Sequence, residues 1–302
     1  MWQQLLKQIR KGDIRSLSKA ISFVENEQEG YENLLEQLPP SNAIIIGITG
    51  PPGAGKSTLT DGLIKEIIDE GKKLAVLCVD PSSPFHAGAV LGDRIRMSSW
   101  YTHPGVFIRS LATRGSMGGL HPRIVEITEL AKATGFDYII IETVGVGQSE
   151  VEIAGLADTT VVVMVPEAGD DVQAMKAGLM EIADIFVVNK SDRPGADTFV
   201  KNLRLMLSPV FSAKKNEAPI IKTISTEHQG ISELFTAIKH HQVQGNYNER
   251  KYWLLAERAW KLVQQHRMKD VRKDVLAAEI KKTDPESFNL YRFARQYYSN
   301  KE

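Results

Sequence analysis

The chain has 302 residues, 42% hydrophobic and 25% charged, which is enough apolar material for a large folded domain and too much for a disordered chain. Lys plus Arg balance Asp plus Glu at 37 each, so no long-range field marks nucleic acid or an anionic membrane as a partner, and any anion site must be local. The single cysteine, Cys78, excludes an internal disulfide framework and a cysteine-based zinc cluster, and it fits a reducing cytoplasm.

Residues 1–40 place Leu5, Leu6, Ile9, Ile14, Leu17, Ile21 and Val24 at roughly helical spacing and stop at Pro39-Pro40. They read as an N-terminal helical extension, not as a signal peptide, because charged residues interrupt the apolar ones. From Ala43 the pattern changes to short β-branched runs: AIIIGIT, LAVLCVD, GVFIRS, YIIIE, TVVVMV, IFVVN and IIKTIS. Each is followed by a turn and a longer helix-like segment. Continuously apolar strands alternating with helices predict a doubly wound, mainly parallel α/β sheet over residues 41–245.

Between the first strand and its helix, Gly50-Pro51-Pro52-Gly53-Ala54-Gly55-Lys56-Ser57 matches the phosphate-loop pattern G-x-x-x-x-G-K-[ST]. The loop's backbone N–H groups turn inward around phosphate oxygens, and the helix N-terminus at Ser57 and Thr58 adds partial positive charge. Lys56 reaches the terminal phosphates and Ser57 suits Mg²⁺. The plainer reading, a glycine-rich turn without a ligand, accounts less well for this motif in this strand-to-helix context.

Three acids end or closely follow strands: Asp80 in VDPSS, Asp93 in GDRIRM and Glu142 in IIIETVGVGQSE. Mg²⁺ needs a few hard oxygens beside the phosphates, so one or two of these with Ser57 suffice; as bland alternatives, Asp80 and Glu142 are strand-end caps and Asp93 a surface partner of Arg94. The stretch from Pro81 to Pro104 is long for a connection and reads as a mobile loop. Gly145 can donate its N–H to a γ-phosphate and sense its loss. Val146 stands where Ras-like enzymes carry the glutamine that positions the attacking water, which predicts slow intrinsic hydrolysis unless a partner completes the site. Glu167 to Lys176 reads as a well-capped helix start at the ligand edge, suited to move with nucleotide state.

Asn189-Lys190-Ser191-Asp192 follows a strand, at the edge where α/β proteins bind ligands. The Asp192 carboxylate only accepts hydrogen bonds, so it matches the guanine N1–H and N2–H₂ pair and leaves adenine poorly matched. Lys190 can lie along the base and Asn189 can tie this loop to the phosphate loop. Ser225, Thr226 and Glu227 end the last strand; their backbone reaches a guanine O6 on one reading and forms an ordinary polar turn on the other. Tyr252–Gln265 and Val271–Tyr298 look like charged amphipathic helices, which makes 246–302 a C-terminal helical extension. No apolar run approaches the length of a membrane span.

Taken together, GPPGAGKS, VDPSSP, GDRIRM, ETVGVGQSE, PEAGDDVQAMKAG and NKSD, spanning Ala43 to Gly230, resemble the MeaB/ArgK-type GTPases associated with methylmalonyl-CoA mutase. The resemblance implies a homodimeric SIMIBI-class GTPase, dimerising through its C-terminal extension, with GTP or GDP as ligand and Mg²⁺ as cofactor. Its implied partner is an adenosylcobalamin-dependent acyl-CoA mutase, whose cofactor loading it gates, which it protects, and which accelerates hydrolysis in turn. It implies Lys56, Asp93, Glu142 and Gly145 as catalytic residues, Asp80, Asp93 and Glu142 as metal and switch carboxylates, and Glu167–Lys176 as a third switch. Asn189, Lys190 and Asp192 match its base reader. The N-terminal extension is short for that family, and little beyond Gly230 is diagnostic. Two other readings share the GTPase core: a nickel-insertion GTPase, against which Cys78 alone argues, and a regulatory scaffolding G-protein.

Overall fold

The computed structural model describes residues 1–80, 97–113, 120–145, 149–167, 177–213, 218–243, 249–284 and 287–298. Asp93, Val146, Gln148 and residues 168–176 of the expected third switch lie outside these. The chain divides into two compact units, Met1–Tyr247 and Asn248–Glu302.

Three helices open the first unit: α1 (Trp2–Ile9), α2 (Ile14–Glu25) and α3 (Tyr31–Glu36). Asp13 starts the second helix, where its carboxylate accepts from Ser16 N at 2.8 Å and so satisfies one of the first-turn N–H groups. The amphipathic spacing buries Leu5, Leu6, Ile9, Leu17, Ile21 and Val24 in one cluster with Phe107, Leu111, Ile127 and Ile139. Arg109, from the sheet, donates to Ser22 Oγ at 3.2 Å and pairs with Glu25. The opening helices are therefore packed onto the domain, and periodicity alone names their apolar face without naming its target.

Seven strands follow: β1 (Ile44–Thr49), β2 (Leu74–Asp80), β3 (Val106–Ala112), β4 (Tyr138–Glu142), β5 (Thr159–Met164), β6 (Ile185–Asn189) and β7 (Ile220–Thr223). They form one sheet in the order β3-β2-β4-β1-β5-β6-β7, with every pairing parallel. Alternate residues feed opposite faces, as the pleat requires. On one face Ile46, Ile48, Ile140 and Val187 meet α4 (Lys56–Asp69) and, through Ile231, Leu234 and Phe235, the later helix Ile231–Val243. On the other, Ile45, Leu77 and Ile139 meet α1, α2, α5 (Ile124–Ala133) and α6 (Ser149–Leu156). Beside them, Val162, Phe186 and Val188 pack on α7 (Ala177–Ile182) and α8 (Ala196–Ala213). With both faces covered, the central strands are apolar at nearly every position and read as unbroken runs, whereas the edge strands β3 and β7 admit Arg109 and Lys222. The helix Ile231–Val243 is α9.

The second unit consists of α10 (Glu249–Arg267), α11 (Lys273–Ile280) and α12 (Leu290–Tyr298). Where one helix was expected over 271–298 there are two, α11 ending at Ile280 and α12 beginning at Leu290. Phe288, Phe293 and Tyr297 make successive ring contacts at centroid separations of 5.9 and 5.5 Å. No described helix is long and apolar enough to cross a membrane.

Candidate functional site

All strands being parallel, their carboxyl ends share one edge, and the chemistry-bearing loops gather there. β1 ends at Thr49 and α4 begins at Lys56. Gly55 caps that helix at φ 89°, and a Cβ there would lie 2.3 Å from Asn189 Nδ2, so the position admits only glycine. Among the described residues no side chain caps α4, and a helix N-terminus beside a glycine-rich loop suits an anion. Lys56 is buried, and its Nζ donates to Gly50 O at 3.0 Å and Pro51 O at 3.2 Å, so the ammonium lies inside the loop. Pro52 and Gly53 form the exposed rim, Ala54 is buried and Thr58 is half-buried.

On one side of this loop stands β4, paired with β1 so that Glu142 lies beside Ile48. That register brings Glu142, 3% exposed, onto the first turn of α4. Ser57 Oγ donates to Glu142 Oε1 at 2.6 Å, and Thr60 Oγ1 lies 2.9 Å from Oε2. Asp80, also buried, ends β2 two residues beyond Cys78, the register partner of Glu142. Thr143 anchors the turn after β4 by donating from N to Ile48 O and from Oγ1 to Thr49 Oγ1. Gly145 then passes against the phosphate loop: a Cβ there would lie 2.4 Å from Gly50 O and 2.6 Å from Lys56 Nζ, at φ 86°. Lys56, Ser57, Glu142 and Gly145 are thus drawn together, with Asp80 on the same edge.

On the other side, β6 delivers the expected base reader. Asn189, 2% exposed, donates from Nδ2 to Ala54 O at 2.8 Å, while its Oδ1 accepts from Ser225 Oγ at 2.8 Å, Ser225 N at 3.2 Å and Thr223 Oγ1 at 3.0 Å. One side chain thereby fastens three loops. Lys190, at φ 55°, reaches Gly53 O at 2.8 Å, and Asp192 is exposed at the rim with Thr226 and Glu227. Ser225 starts a single 3-10 turn, Ser225–Glu227, behind them.

Sequence reasoning missed four participants. Thr60 sits three residues after Ser57, so helical spacing was the available signal. Thr223 had none. Arg193 pairs with Glu167, joining the start of the expected third switch to the base-reading loop, and that hydrogen bond is the main reason the Glu167 carboxyl is held below the usual glutamate range. Trp100 Nε1 donates to Asp61 Oδ1 at 2.8 Å, with Met97 buried nearby in sequence, so residues 97–100 of the expected mobile loop are fastened to α4.

This arrangement, a buried cation at a helix N-terminus beside a hydroxyl–carboxylate pair and an acceptor-only rim residue, suits a nucleoside triphosphate bearing guanine. Comparison with known proteins agrees. A family model described as methylmalonyl-CoA mutase-associated GTPase MeaB matches residues 17–279. A putative GTPase of Pyrococcus horikoshii is 52% identical over 246 residues, covering 79% of this chain and 77% of its own. A fused isobutyryl-CoA mutase of Geobacillus kaustophilus is 35% identical over 250 residues, covering 77% of this chain and 23% of its own. The crystal structure of an LAO/AO transport system kinase superposes with a TM-score of 0.68 at 26% identity, over 99% of this chain and 96% of that one. The chain belongs to the MeaB family of methylmalonyl-CoA mutase-associated GTPases, binding GTP and hydrolysing it to GDP and phosphate.

Proposed function

We propose that this GTPase is a chaperone of an adenosylcobalamin-dependent acyl-CoA mutase, gating cofactor loading and protecting the loaded enzyme. The observation that carries the reading is the fused relative: a 250-residue stretch similar to this chain forms 23% of a protein named as an isobutyryl-CoA mutase. Fusion holds two modules at high effective concentration, which is useful when they act on each other. Val146, in the place of a water-positioning glutamine, gives the partner a task in hydrolysis.

In this reading the phosphate-loop backbone and Lys56 neutralise the phosphates, the Gly145 N–H follows the γ-phosphate, and Asp192 selects guanine. The donor set fits Mg²⁺: Ser57 Oγ and the Glu142 carboxylate are hard oxygens in contact, with Asp80 buried on the same edge. Ser57, Glu142 and Asp80 would hold the ion. Bound there, the ion offsets charge on the β- and γ-phosphates. Asp93 takes part from the segment before Met97. The helical unit 248–302 serves dimerisation, supported by Trp253 and Trp260, which are 66% and 62% exposed and seven residues apart on α10.

The test is GTP turnover by the purified protein, alone and with a cobalamin-dependent acyl-CoA mutase from the same genome, with ATP as control. The reading requires a slow, GTP-specific basal rate raised manyfold by the mutase. GTP turnover indifferent to every such mutase would refute it.

A further inference from the structure

We propose that Thr60 is a positioning residue for the magnesium site: its hydroxyl holds one oxygen of Glu142 so that the other stays on Ser57. The proposal rests on the assignment of Mg²⁺ to Ser57. Thr60 is fully buried on α4, four residues after Lys56 and three after Ser57, hence on the helix face that meets the end of β4. Its Oγ1 stands 2.9 Å from Glu142 Oε2 while Ser57 Oγ stands 2.6 Å from Oε1.

Two hydroxyls on the two oxygens of one carboxylate fix its plane. Removing the Thr60 hydroxyl removes one of these two restraints on which oxygen faces Ser57. Thr60 Oγ1 is also 2.9 Å from Lys56 O, the carbonyl one turn back on the helix. The hydroxyl has one proton, and a carboxylate is the stronger acceptor, so the bond to Glu142 dominates while the helix turn fixes where Oγ1 sits. Ser57 can then give its proton to Glu142 Oε1 and keep its lone pairs for the metal. Glu142 thereby makes the Ser57 oxygen a better donor, as carboxylates do for metal-bound groups elsewhere. Valine has the same shape as threonine without the hydroxyl.

The experiment compares wild type, Thr60→Val and Thr60→Ser for release of a fluorescent GDP across a Mg²⁺ titration, with the same release measured in EDTA. Groups in contact with a metal ligand typically shift metal affinity about 10- to 100-fold; Thr60 acts one contact further out, through Glu142, so Thr60→Val is expected to raise the Mg²⁺ concentration for half-maximal slowing by about threefold to tenfold. The shift should exceed any change in EDTA, and Thr60→Ser should restore the wild-type value. Thermal melting of each variant checks folding. An unchanged Mg²⁺ requirement in Thr60→Val, or a change no larger than that seen in EDTA, would overturn the role of Thr60 alone. A wild type whose GDP release ignores Mg²⁺ would overturn the metal assignment as well.

Discussion

Replacing Asn189 by alanine should unfasten the site and destabilise the first unit, because this side chain is a junction as well as part of the expected base reader. Its four hydrogen bonds, to Ala54 O, Ser225 N, Ser225 Oγ and Thr223 Oγ1, are all buried. The two hydroxyls can turn to other acceptors; the Ser225 N–H and the Ala54 carbonyl are fixed by the backbone. Leaving a buried polar group without a partner costs about 1–3 kcal/mol, so the two together cost roughly 2–6, and about 3 once water enters the space left by the amide. For a unit of this size each kcal/mol moves the melting temperature by about 2–4 °C, which gives a fall of about 6–12 °C. Calorimetry on the nucleotide-free protein measures it. GDP should bind more weakly too, since Ala54 and the base loop lose their tie. Asn189→Asp should be at least as harmful, since it sets an acceptor-only carboxylate against the Ala54 carbonyl oxygen at a buried position. A melting temperature for Asn189→Ala within about 2 °C of wild type would refute the argument, since even one lost bond should exceed that.

Asp192 is at the exposed rim, so Asp192→Asn should leave the melting temperature unchanged while GTP affinity falls about 100-fold or more, from the loss of charge-assisted bonds worth about 1.5–3 kcal/mol each. Competition between GTP and XTP checks it, since an amide can donate to the xanthine O2. Gly145→Ala adds about 1–2 kcal/mol of left-handed strain and a clash with the phosphate loop, so GTP turnover should drop at least about tenfold in a phosphate-release assay. The Glu167 carboxyl, followed by NMR, should titrate below the ordinary glutamate value, and Arg193→Ala should raise it. A depressed value means that the ion pair contributes above the unfolded glutamate value and is lost as pH falls through the folded one; the link thus holds across neutral pH.

How much of this was legible depended on whether the signal was local. The strand Tyr138–Glu142 reads directly from YIIIE, because a central strand covered on both faces is apolar at nearly every position, and the phosphate loop reads directly because its residues are consecutive. One pairwise fact was legible, the tie from Asn189 to the phosphate loop, because the two motifs are known to meet at the strand edge; most others were not. Thr60 lies at helical spacing from Ser57, yet only the β1–β4 register brings Glu142 between them. Gly55 reads as part of a motif, and only the fold reveals that Asn189 excludes any side chain there. Likewise the apolar stripe of α2 predicts burial of Leu17, Ile21 and Val24 but not that Arg109 of β3 would reach Ser22 and Glu25.

The sheet order explains why these pairings escape a linear reading. Along the carboxyl edge from β2 to β7 the order is Asp80, Glu142, the phosphate loop, Glu167, Asn189, Ser225, whereas in sequence the phosphate loop comes first. β1 is separated from β6 by β5 alone, about 10 Å at ordinary strand spacing, which a nucleotide spans from its phosphates to its base. A nucleotide held by both loops therefore points its terminal phosphate toward β4 and β2, where the carboxylates gather, and its base toward β6 and β7. Glu167 follows β5, between the two ends. Its pairing with Arg193 attaches the end of β5 to the loop after β6, while the backbone of the same strand underlies the phosphate loop, since a Cβ on Gly50 would meet Val163 O at 2.1 Å. Movement of the end of β5 would thus be transmitted to both ends of the nucleotide, so a partner that grips it has a route to hydrolysis and to GDP release alike.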